Sequence, residues 1–347
     1  MIREGLAIDL GTINTLIARR NHGIVLKEAS AVAVNSFAHE EILAVGNEAI
    51  EMRGRTPNGI SVKYPLKDGV IADYILAETM IRQFIRRIIG NGFGFFNTRA
   101  VFCVPNCITP VERAAIEESA HRAGIRDVLV MEEAMAAALG AALPVNEPIG
   151  SMIVDIGGGT TDIAVVTLNG IATGKSIRTG GLHIDEAISS YIKQEYGIAI
   201  GARTAEQIKI TIGNLIINAD DEIKIRGLSL LTGLPQSASL TTCEVKSAIS
   251  RPVDVILNAI SDVLFETPPE LAGDIIKSGI TLTGGGALLK GLPEVISART
   301  KIEARLAQRP LESVVMGAYY VLDGINDRSI EFDRDSGMIL RHVERLA

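Results

Sequence analysis

The sequence predicts an α/β protein made of two duplicated lobes, each with a small inserted subdomain. Short apolar runs rich in β-branched residues alternate with longer segments of helical spacing. A unit of strand, acidic residue, glycine–threonine turn and second strand occurs at residues 5–19 and again at 152–166. A whole supersecondary unit repeated at the head of each half-chain indicates internal duplication. The length of 347 residues is sufficient for two such lobes.

The second copy of this unit has the features of an anion-binding loop. Asp155 ends a buried strand and is followed by the glycine–threonine run 157–161. Consecutive glycines leave backbone N–H groups free and remove the Cβ atoms that would block a ligand, so the turn suits a phosphate. The alternative is a tight hairpin that binds nothing.

The first copy favours the phosphate loop over the hairpin. Asp9, Gly11 and Thr12 repeat the pattern about 146 residues earlier, in a shorter loop. A chance hairpin seldom recurs with the same acidic residue and the same hydroxyl placement. We therefore expect the two loops to hold opposite sides of one phosphate tail, with Asp155 placed where a metal-bound water could meet that tail.

The composition is that of a soluble protein with an aliphatic core. Apolar residues make up 47% of the chain and charged residues 22%, and Trp is absent. The net charge of −7 argues against a nucleic-acid partner. Cys103, Cys107 and Cys243 show no CxxC spacing, which favours reduced structural thiols and a cytoplasmic location. The early first strand leaves no room for a signal peptide, and Glu132 and Glu133 interrupt the longest apolar stretch.

In the first half-chain, residues 24–50 alternate short β-like runs, and the segment up to residue 65 predicts a small inserted subdomain. Residues 73–89 have helical apolar spacing. The glycine-rich loop that follows carries three phenylalanines: Phe93, Phe95 and Phe96. These rings either fold back into the core or form an exposed hydrophobic tip for a partner or a membrane surface.

A strand at residues 100–104 is followed by a helix with a capping box at Thr109 and Glu112, which Gly124 ends. A further strand leads into an alanine-rich helix that begins at Glu132 and Glu133 and stops before residue 144. Small residues permit the close packing that a connector between lobes requires. Each glutamate is either a capping charge at the helix N-terminus or a group that holds water against a terminal phosphate. Their spacing does not distinguish these roles.

The second half-chain continues with a helix at 185–196 and another that starts with a capping box at Thr204. Residues 222–239 are β-like and predict a second inserted subdomain. A long capped helix from residue 241 contains Pro252, which predicts a kink or an adjusted first turn. The strand–glycine–helix turn at 279–289 admits a flat or anionic group, although such turns also serve close backbone packing. A final helix at 313–322 precedes a polar tail.

Together these features resemble the actin, heat-shock-70 and sugar-kinase superfamily, and within it the bacterial actin family of MreB and its paralogues. The motifs that carry the resemblance span about residues 5–325. They are Asp9-Leu10-Gly11-Thr12, Pro65-Leu66-Lys67-Asp68-Gly69, Asp155-Ile156-Gly157-Gly158-Gly159-Thr160-Thr161-Asp162, Arg203-Thr204-Ala205-Glu206, Thr267-Pro268-Pro269-Glu270 and Leu282-Thr283-Gly284-Gly285-Gly286-Ala287.

The resemblance implies an actin-like ATPase fold with a nucleotide cleft between four subdomains. Residues 1–31, 66–147 and 313–347 would form the first lobe core, with 32–65 inserted. Residues 148–180 and 245–312 would form the second lobe core, with 181–244 inserted. It also implies a cytoplasmic ATP-binding protein, peripheral at the inner membrane, whose filaments, as antiparallel double protofilaments, guide cell-wall synthesis together with the elongation machinery.

The resemblance further implies site residues for ATP and Mg²⁺. Nucleotide contacts would come from Gly11, Thr12, Ile13, Asn14, Gly157, Gly158, Gly159, Thr160, Glu206, Gln207, Ile208, Lys209, Gly284, Gly285, Gly286 and Ala287. Asp9 and Asp155 would hold Mg²⁺ mainly through water, Glu133 would position the attacking water, and Thr160 would assist it. Phe95 and Phe96, with Phe93, match the family's membrane-inserting loop.

Three positions depart from the family pattern. Ala134 replaces a usual proline after the paired glutamates, Leu182 follows Gly181 where an acidic residue is usual, and Ala202 replaces a glutamate. These departures bear on the hydrolysis rate and the nucleotide affinity, and they suit a divergent paralogue. A small-molecule kinase of the same superfamily is the alternative function, but no catalytic Asp facing an acceptor pocket stands out. A chaperone ATPase would need a C-terminal substrate-binding domain.

Overall fold

The computed structural model describes residues 4–38, 41–90, 98–106, 108–216, 221–334 and 336–342. The strands are β1 Glu4–Leu10, β2 Asn14–Arg19, β3 Gly23–Ala29, β4 Val32–Asn35, β5 Glu41–Val45, β6 Ile60–Lys63, β7 Leu66–Lys67, β8 Val70–Ile71, β9 Thr98–Val104, β10 Asp127–Glu132, β11 Ser151–Ile156, β12 Thr161–Thr167, β13 Gly170–Ile177, β14 Ile198–Ala199, β15 Glu222–Ser229, β16 Pro235–Thr241, β17 Ile280–Thr283, β18 Ala304–Leu306, β19 Ile330–Phe332 and β20 Ile339–His342. The helices are α1 Asn47–Met52, α2 Tyr74–Ile89, α3 Pro110–Arg122, α4 Glu133–Gly140, α5 Gly181–Tyr196, α6 Ala202–Ile212, α7 Thr242–Glu266, α8 Pro269–Ser278, α9 Leu292–Thr300 and α10 Ser313–Asp327.

The two large sheets confirm the predicted duplication. The first has the strand order β10-β9-β1-β2-β3 and the second the order β18-β17-β11-β12-β13. In both, the hairpin strands are antiparallel, and the later strands join in parallel beside the first strand of the hairpin. An irregularity falls in the second hairpin of each sheet, at Ile17/Ala18 and at Val165/Val166. The chain is therefore an α/β protein with two lobes of the same topology.

Two small sheets lie in the segments that the sequence analysis assigns to inserted subdomains. Strands β4, β5 and β6 form one sheet beside α1, around a small core of alanines. Strands β14, β15 and β16 form the other. The division of the chain into four subdomains at the boundaries given above stays a prediction.

The lobes are joined through a shared apolar layer, here called the interlobe core. It is formed by the alanine-rich helix α4, by α10 and by the facing sides of both large sheets. Its members include Ala7, Val101, Ile153, Ala164, Val315 and Ala318. The predicted close-packing connector is therefore present, and it consists of two helices.

Glycines set the distance between α4 and α10. A Cβ atom added to Gly317 would lie 1.8 Å from the carbonyl oxygen of Ala136, and one added to Gly140 would lie 1.8 Å from that of Ser313. Each helix thus presents a glycine to the other helix's backbone. This reciprocal contact brings the helix axes closer together than any side chain would permit.

Several predicted boundaries are confirmed and others are wrong; the helix predicted at 185–196 already begins at Gly181. Capping boxes begin α3 at Thr109 and α7 at Thr241. The predicted cap at Thr204 is wrong, because α6 already begins at Ala202 and the Thr204 N–H donates to the Gly201 carbonyl within the first turn.

The C-terminal segment also differs from the prediction. Helix α10 continues to Asp327, and the expected polar tail contains the antiparallel pair β19 and β20. Ile330 and Ile339 from these strands are buried in the interlobe core. The apolar runs are short, Ile330 with Phe332 and Met338-Ile339-Leu340, and polar residues separate them, so the segment resembles a polar tail in sequence.

No helix within the described ranges is long and apolar enough to cross a membrane. The proposed hydrophobic tip, Phe93, Phe95 and Phe96, lies outside the described residues.

Gly317→Ala tests the helix contact. The added methyl group must push α10 away from Ala136, and overpacking of this kind costs roughly 1–3 kcal/mol. We expect the free energy of unfolding, measured by urea titration, to fall by that amount. Gly273→Ala in α8 is the control, because nothing lies within 4 Å of its added Cβ, and alanine favours a helix interior. Equal stability changes in the two variants would contradict the packing argument.

Candidate functional site

The two predicted phosphate loops, one from each lobe, lie directly against one another. A Cβ atom added to Gly158 would lie 2.3 Å from Cγ1 of Ile13, and one added to Gly159 would lie 2.8 Å from Oγ1 of Thr12. Only glycine permits this approach. The duplication thus brings the β1–β2 loop and the β11–β12 loop to one place between the lobes.

The short hairpin β7–β8 supports both loops. Its turn residues Asp68 and Gly69 have φ values of 49° and 79°, as a type I′ turn requires. The Gly69 N–H donates to Oγ1 of Thr12 at 3.0 Å. A Cβ atom on Gly69 would lie 2.9 Å from Cγ2 of Thr160. The Asp-Gly turn therefore contacts the first loop by a hydrogen bond and the second by packing.

Ser30, which follows β3, also holds the first loop through two hydrogen bonds. Ser30 is fully buried, and its Oγ donates to the Gly11 carbonyl at 2.6 Å. The Ser30 N–H donates to the Ile13 carbonyl at 2.7 Å. The loop carbonyls are thus engaged on the sheet side. Asn14, the last residue of the predicted first loop, begins β2 and is exposed.

Four carboxylates surround the junction of the loops. Asp155, Asp162 and Glu133 are buried and Asp9 is partly exposed. In the described part of the chain none of them forms an ion pair with a basic side chain. Oδ1 of Asp155 and Oδ2 of Asp162 are buried with no hydrogen-bond partner there. Buried acceptors without partners are costly and suit a cationic ligand.

The pKa values of these groups reflect their shared environment. Burial, and then the charge of Asp155, raises the pKa of Asp9 to about 7. Burial raises the pKa of Asp155 to about 6 and that of Asp162 to about 7. The pKa of Glu133 is raised well above its usual value by burial and by the charges of Asp162, Asp9 and Asp155. Burial is thus the main cause of all four shifts, and the charge of Asp155 makes ionisation of Asp9, Asp162 and Glu133 less favourable still.

Asn106 is a site residue that the sequence analysis missed. It follows β9, and its backbone N–H donates to Oδ1 of Asp162 at 2.7 Å. Its side-chain Oδ1 accepts from the Ala134 N–H, one residue after Glu133, at 3.4 Å. A signal was available in the sequence. Asn106 follows the carboxyl end of β9, which is parallel to β1, and Asp9 lies near the carboxyl end of β1. Polar residues at the carboxyl ends of neighbouring parallel strands often form a ligand site.

The predicted residues of α6 have different environments. Glu206 and Gln207 are exposed, whereas the Ile208 side chain belongs to the core of the second lobe. Lys209 forms an ion pair with Asp185 at 2.9 Å and donates to the Gly181 carbonyl at 3.1 Å.

Asp185 is a second residue that the sequence analysis missed. Burial raises its pKa to about 6, and the Lys209 charge opposes that rise. Nothing in its local pattern distinguishes it from an ordinary residue of a helix. A cavity of about 320 Å³ beside Gln207 is lined in part by Thr204, Ile223 and Arg226.

The glycine turn near the C-terminus packs against the end of β11. A Cβ atom on Gly284 would lie 2.3 Å from the Ile156 carbonyl oxygen, and one on Gly286 would lie 2.4 Å from Cγ2 of Ile156. Ala287 is buried, and Gly285 is exposed. Close backbone packing therefore explains two of the three glycines, and Gly285 remains open to a ligand.

The departures at Leu182 and Ala202 leave the loop anchoring intact. The backbone N–H of Leu182 donates to the Gly158 carbonyl at 2.9 Å, and that of Gly181 donates to the Gly157 carbonyl at 3.0 Å. These bonds involve only the backbone, so they do not depend on the side chain at 182. Ala202 is exposed at the start of α6.

Comparison with known proteins places this site in a family. The MreB/Mbl protein family model matches residues 3–330. The cell shape-determining protein MreB of Escherichia coli is 45% identical over 330 residues, which cover 94% of this chain and 95% of that protein. The cell shape-determining protein Mbl of Bacillus subtilis is 43% identical over 327 residues, with 94% and 98% covered.

Solved structures agree with this assignment. MreB5 of Spiroplasma citri bound to ADP matches with a TM-score of 0.89 and 34% identity, over 94% of this chain and 98% of that one. The MamK double helical filament matches with a TM-score of 0.79 at 22% identity, over 92% of this chain and 99% of that one, which shows a common fold. The family match and the two curated relatives cover nearly the whole chain, and the protein belongs to the MreB/Mbl family of actin-like proteins.

Proposed function

We propose that this protein is an ATP-dependent polymerising cytoskeletal protein whose filaments guide cell-wall synthesis and maintain cell shape. The observation that carries the proposal is the meeting of two duplicated glycine loops from opposite lobes beside four carboxylates, three of them buried. The relatives named cell shape-determining proteins support the cellular role. The kinase alternative gains no support from these comparisons.

In this proposal, ATP lies between the lobes. Residues 11–14 and 157–160 bind the phosphates, and residues 206–209 and 284–287 bind the nucleoside. Structures of Spiroplasma citri MreB5 with ADP and with AMPPNP support nucleotide binding at this fold. A nucleotide held by both loops favours the closed arrangement of the lobes by differential binding to that state.

Asp9 and Asp155 would hold Mg²⁺, and the donor set fits this ion. Mg²⁺ prefers oxygen ligands and retains several waters beside one or two carboxylates and the substrate phosphates. Oδ1 of Asp155 is a buried acceptor without a partner. No cluster of three or more acidic, histidine or cysteine side chains that could coordinate a metal directly is found in the described ranges. The ion would neutralise charge on the phosphates.

Glu133 and Thr160 would assist slow ATP hydrolysis. Phosphoryl transfer depends mainly on positioning and electrostatics. Sites that catalyse it usually contain one residue that orients the attacking water. Glu133 is buried at the first turn of α4, and burial raises its pKa, which makes its carboxylate a stronger base toward the attacking water. The Thr160 hydroxyl lies at the end of the second loop.

The filaments are proposed to be antiparallel double protofilaments at the cytoplasmic face of the inner membrane, in contact with the cell-wall elongation machinery. Residues 93–96 would supply the membrane contact.

The proposal predicts ATP-dependent sedimentation of the purified protein, with filaments visible by negative-stain electron microscopy. Anionic lipid vesicles should recruit the filaments, and replacement of Phe95 and Phe96 by serine should abolish recruitment without preventing assembly. A protein that stays in the supernatant with ATP, ADP and AMPPNP alike would contradict the cytoskeletal function.

Glu133→Ala should bind ATP and assemble normally but release phosphate at least roughly 100-fold more slowly, because general-base assistance contributes about that factor or more. A phosphate-release assay on assembled protein measures the rate. The neighbouring Glu132→Gln is the control and should remain within about two-fold of wild type. Wild-type release by Glu133→Ala would remove this residue from the mechanism.

The raised pKa values of Asp9, Asp155, Asp162 and Glu133 predict that the free energy of unfolding depends on pH. Raised pKa values mean that the folded state binds protons more tightly than the unfolded chain. The stability that these groups contribute below about pH 4 is therefore lost as the pH rises to about 7. In ligand-free protein at pH 8, Asp9→Asn should raise the free energy of unfolding by on the order of 1 kcal/mol and weaken Mg-ATP binding.

Asp254→Asn is the control, because it removes the same charge from an exposed position in α7. It should change neither the free energy of unfolding nor the affinity for Mg-ATP. Thermal melts at pH 5 and pH 8, with and without Mg²⁺, measure the effect. A melting temperature of the ligand-free protein that is independent of pH over this range would contradict the analysis.

A further inference from the structure

The first turn of α4 is completed by a residue outside the helix. An α-helix leaves its first four N–H groups without intrahelical partners. The N-cap residue Glu132 makes no side-chain capping hydrogen bond. Instead, the Ala134 N–H in the first turn donates to Oδ1 of Asn106, at the end of β9. Glu133 directly precedes Ala134, so this bond fixes the backbone immediately after Glu133.

Asn106 also contacts the opposite lobe. Its backbone N–H donates to Oδ1 of Asp162 in β12, at 2.7 Å. Asp162 is fully buried and directly follows the second phosphate loop and Thr161. A single residue therefore connects the helix that carries Glu133 to the strand that leaves the second loop.

Packing alone does not explain an asparagine at this position. Asn106 is only 3% exposed, and its Nδ2 has no hydrogen-bond partner in the described part of the chain. A buried amide donor without a partner is costly, and an apolar side chain of similar size would avoid that cost. The bond that the side chain does make is the one to α4.

The residue at position 134 must supply the matching donor. Proline at 134 would have no N–H, so the bond to Asn106 requires a residue other than proline, which here is alanine. The two positions thus form a matched pair, although they lie far apart in the sequence.

We propose that Asn106 is a positioning residue for Glu133, which caps the first turn of α4 from β9 and couples that turn to Asp162 of the second lobe. The proposal rests on the role given to Glu133 above. Asn106 does not contact the reacting atoms in this scheme; it acts through the Ala134 N–H. Separation of the lobes would break the bond to Asp162, so the position of Glu133 would be fixed only when the second loop is in place.

The test compares Asn106→Ala with Asn326→Ala in the full chain. Asn326 is a matched control in α10, because its Oδ1 also accepts one hydrogen bond, from Arg99, and its Nδ2 is also buried without a partner among the described residues. We expect Asn106→Ala to lower kcat for phosphate release roughly five-fold, the effect of one ordinary hydrogen bond, with KM for ATP unchanged. Asn326→Ala should change neither parameter.

Ala134→Pro removes the donor without altering Asn106, and proline is tolerated in a first helical turn. In that background Asn106→Ala should have no further effect on kcat. An equal loss of kcat from Asn106→Ala in both backgrounds would overturn the proposal, and so would an unchanged kcat in Asn106→Ala.

Amide hydrogen exchange separates this inference from the proposed function. Exchange of the Ala134 N–H should accelerate several-fold in Asn106→Ala and remain unchanged in Asn326→Ala, whether or not Glu133 takes part in hydrolysis. Unchanged Ala134 exchange in Asn106→Ala would overturn the capping contact. If Glu133→Ala hydrolyses ATP normally while Ala134 exchange accelerates, the capping contact stands and the role of Glu133 fails.

Discussion

The placement of four carboxylates, three of them buried, at the junction of the lobes is the constraint on which the rest of the structure depends. Asp9, Asp155, Asp162 and Glu133 come from both lobes and from the helix between them, and burial raises the pKa of each. Such a cluster can persist only where the surrounding packing holds it. The two sheets, the interlobe core and the glycine contact between α4 and α10 supply that packing.

The fold was largely predictable because its signals are local and repeated. The recurrence of Asp9 and Asp155 in equivalent units predicted the two lobes, and the identical strand orders confirm it. Capping boxes at Thr109 and Thr241 are complete within four residues, so the sequence alone located both helix starts. The same local pattern failed at Thr204, where a helical turn had already formed from Gly201.

The parts of the site that escaped prediction depend on contacts between distant residues. Asn106 reaches Asp162 and Ala134, and Asp185 reaches Lys209, and no spacing rule joins such positions. At the glycines of the 284–286 turn, by contrast, a local motif is present but its meaning is ambiguous. Their motif fits a ligand turn, yet two of them are required by the approach to Ile156. A glycine motif identifies close approach and does not by itself distinguish a ligand from backbone.

The Asp68–Gly69 turn has a mechanical consequence for the molecule. It lies at the tip of the hairpin β7–β8, which follows β6 of the small sheet after a link of two residues. At the base of the hairpin, the N–H groups of Ala72 and Asp73 donate to the Pro65 carbonyl. At its tip it contacts Thr12 and Thr160. The hairpin β7–β8 therefore links the small sheet to both phosphate loops. A neighbouring molecule that displaced the small sheet would therefore also disturb the contacts of Gly69 with Thr12 and Thr160.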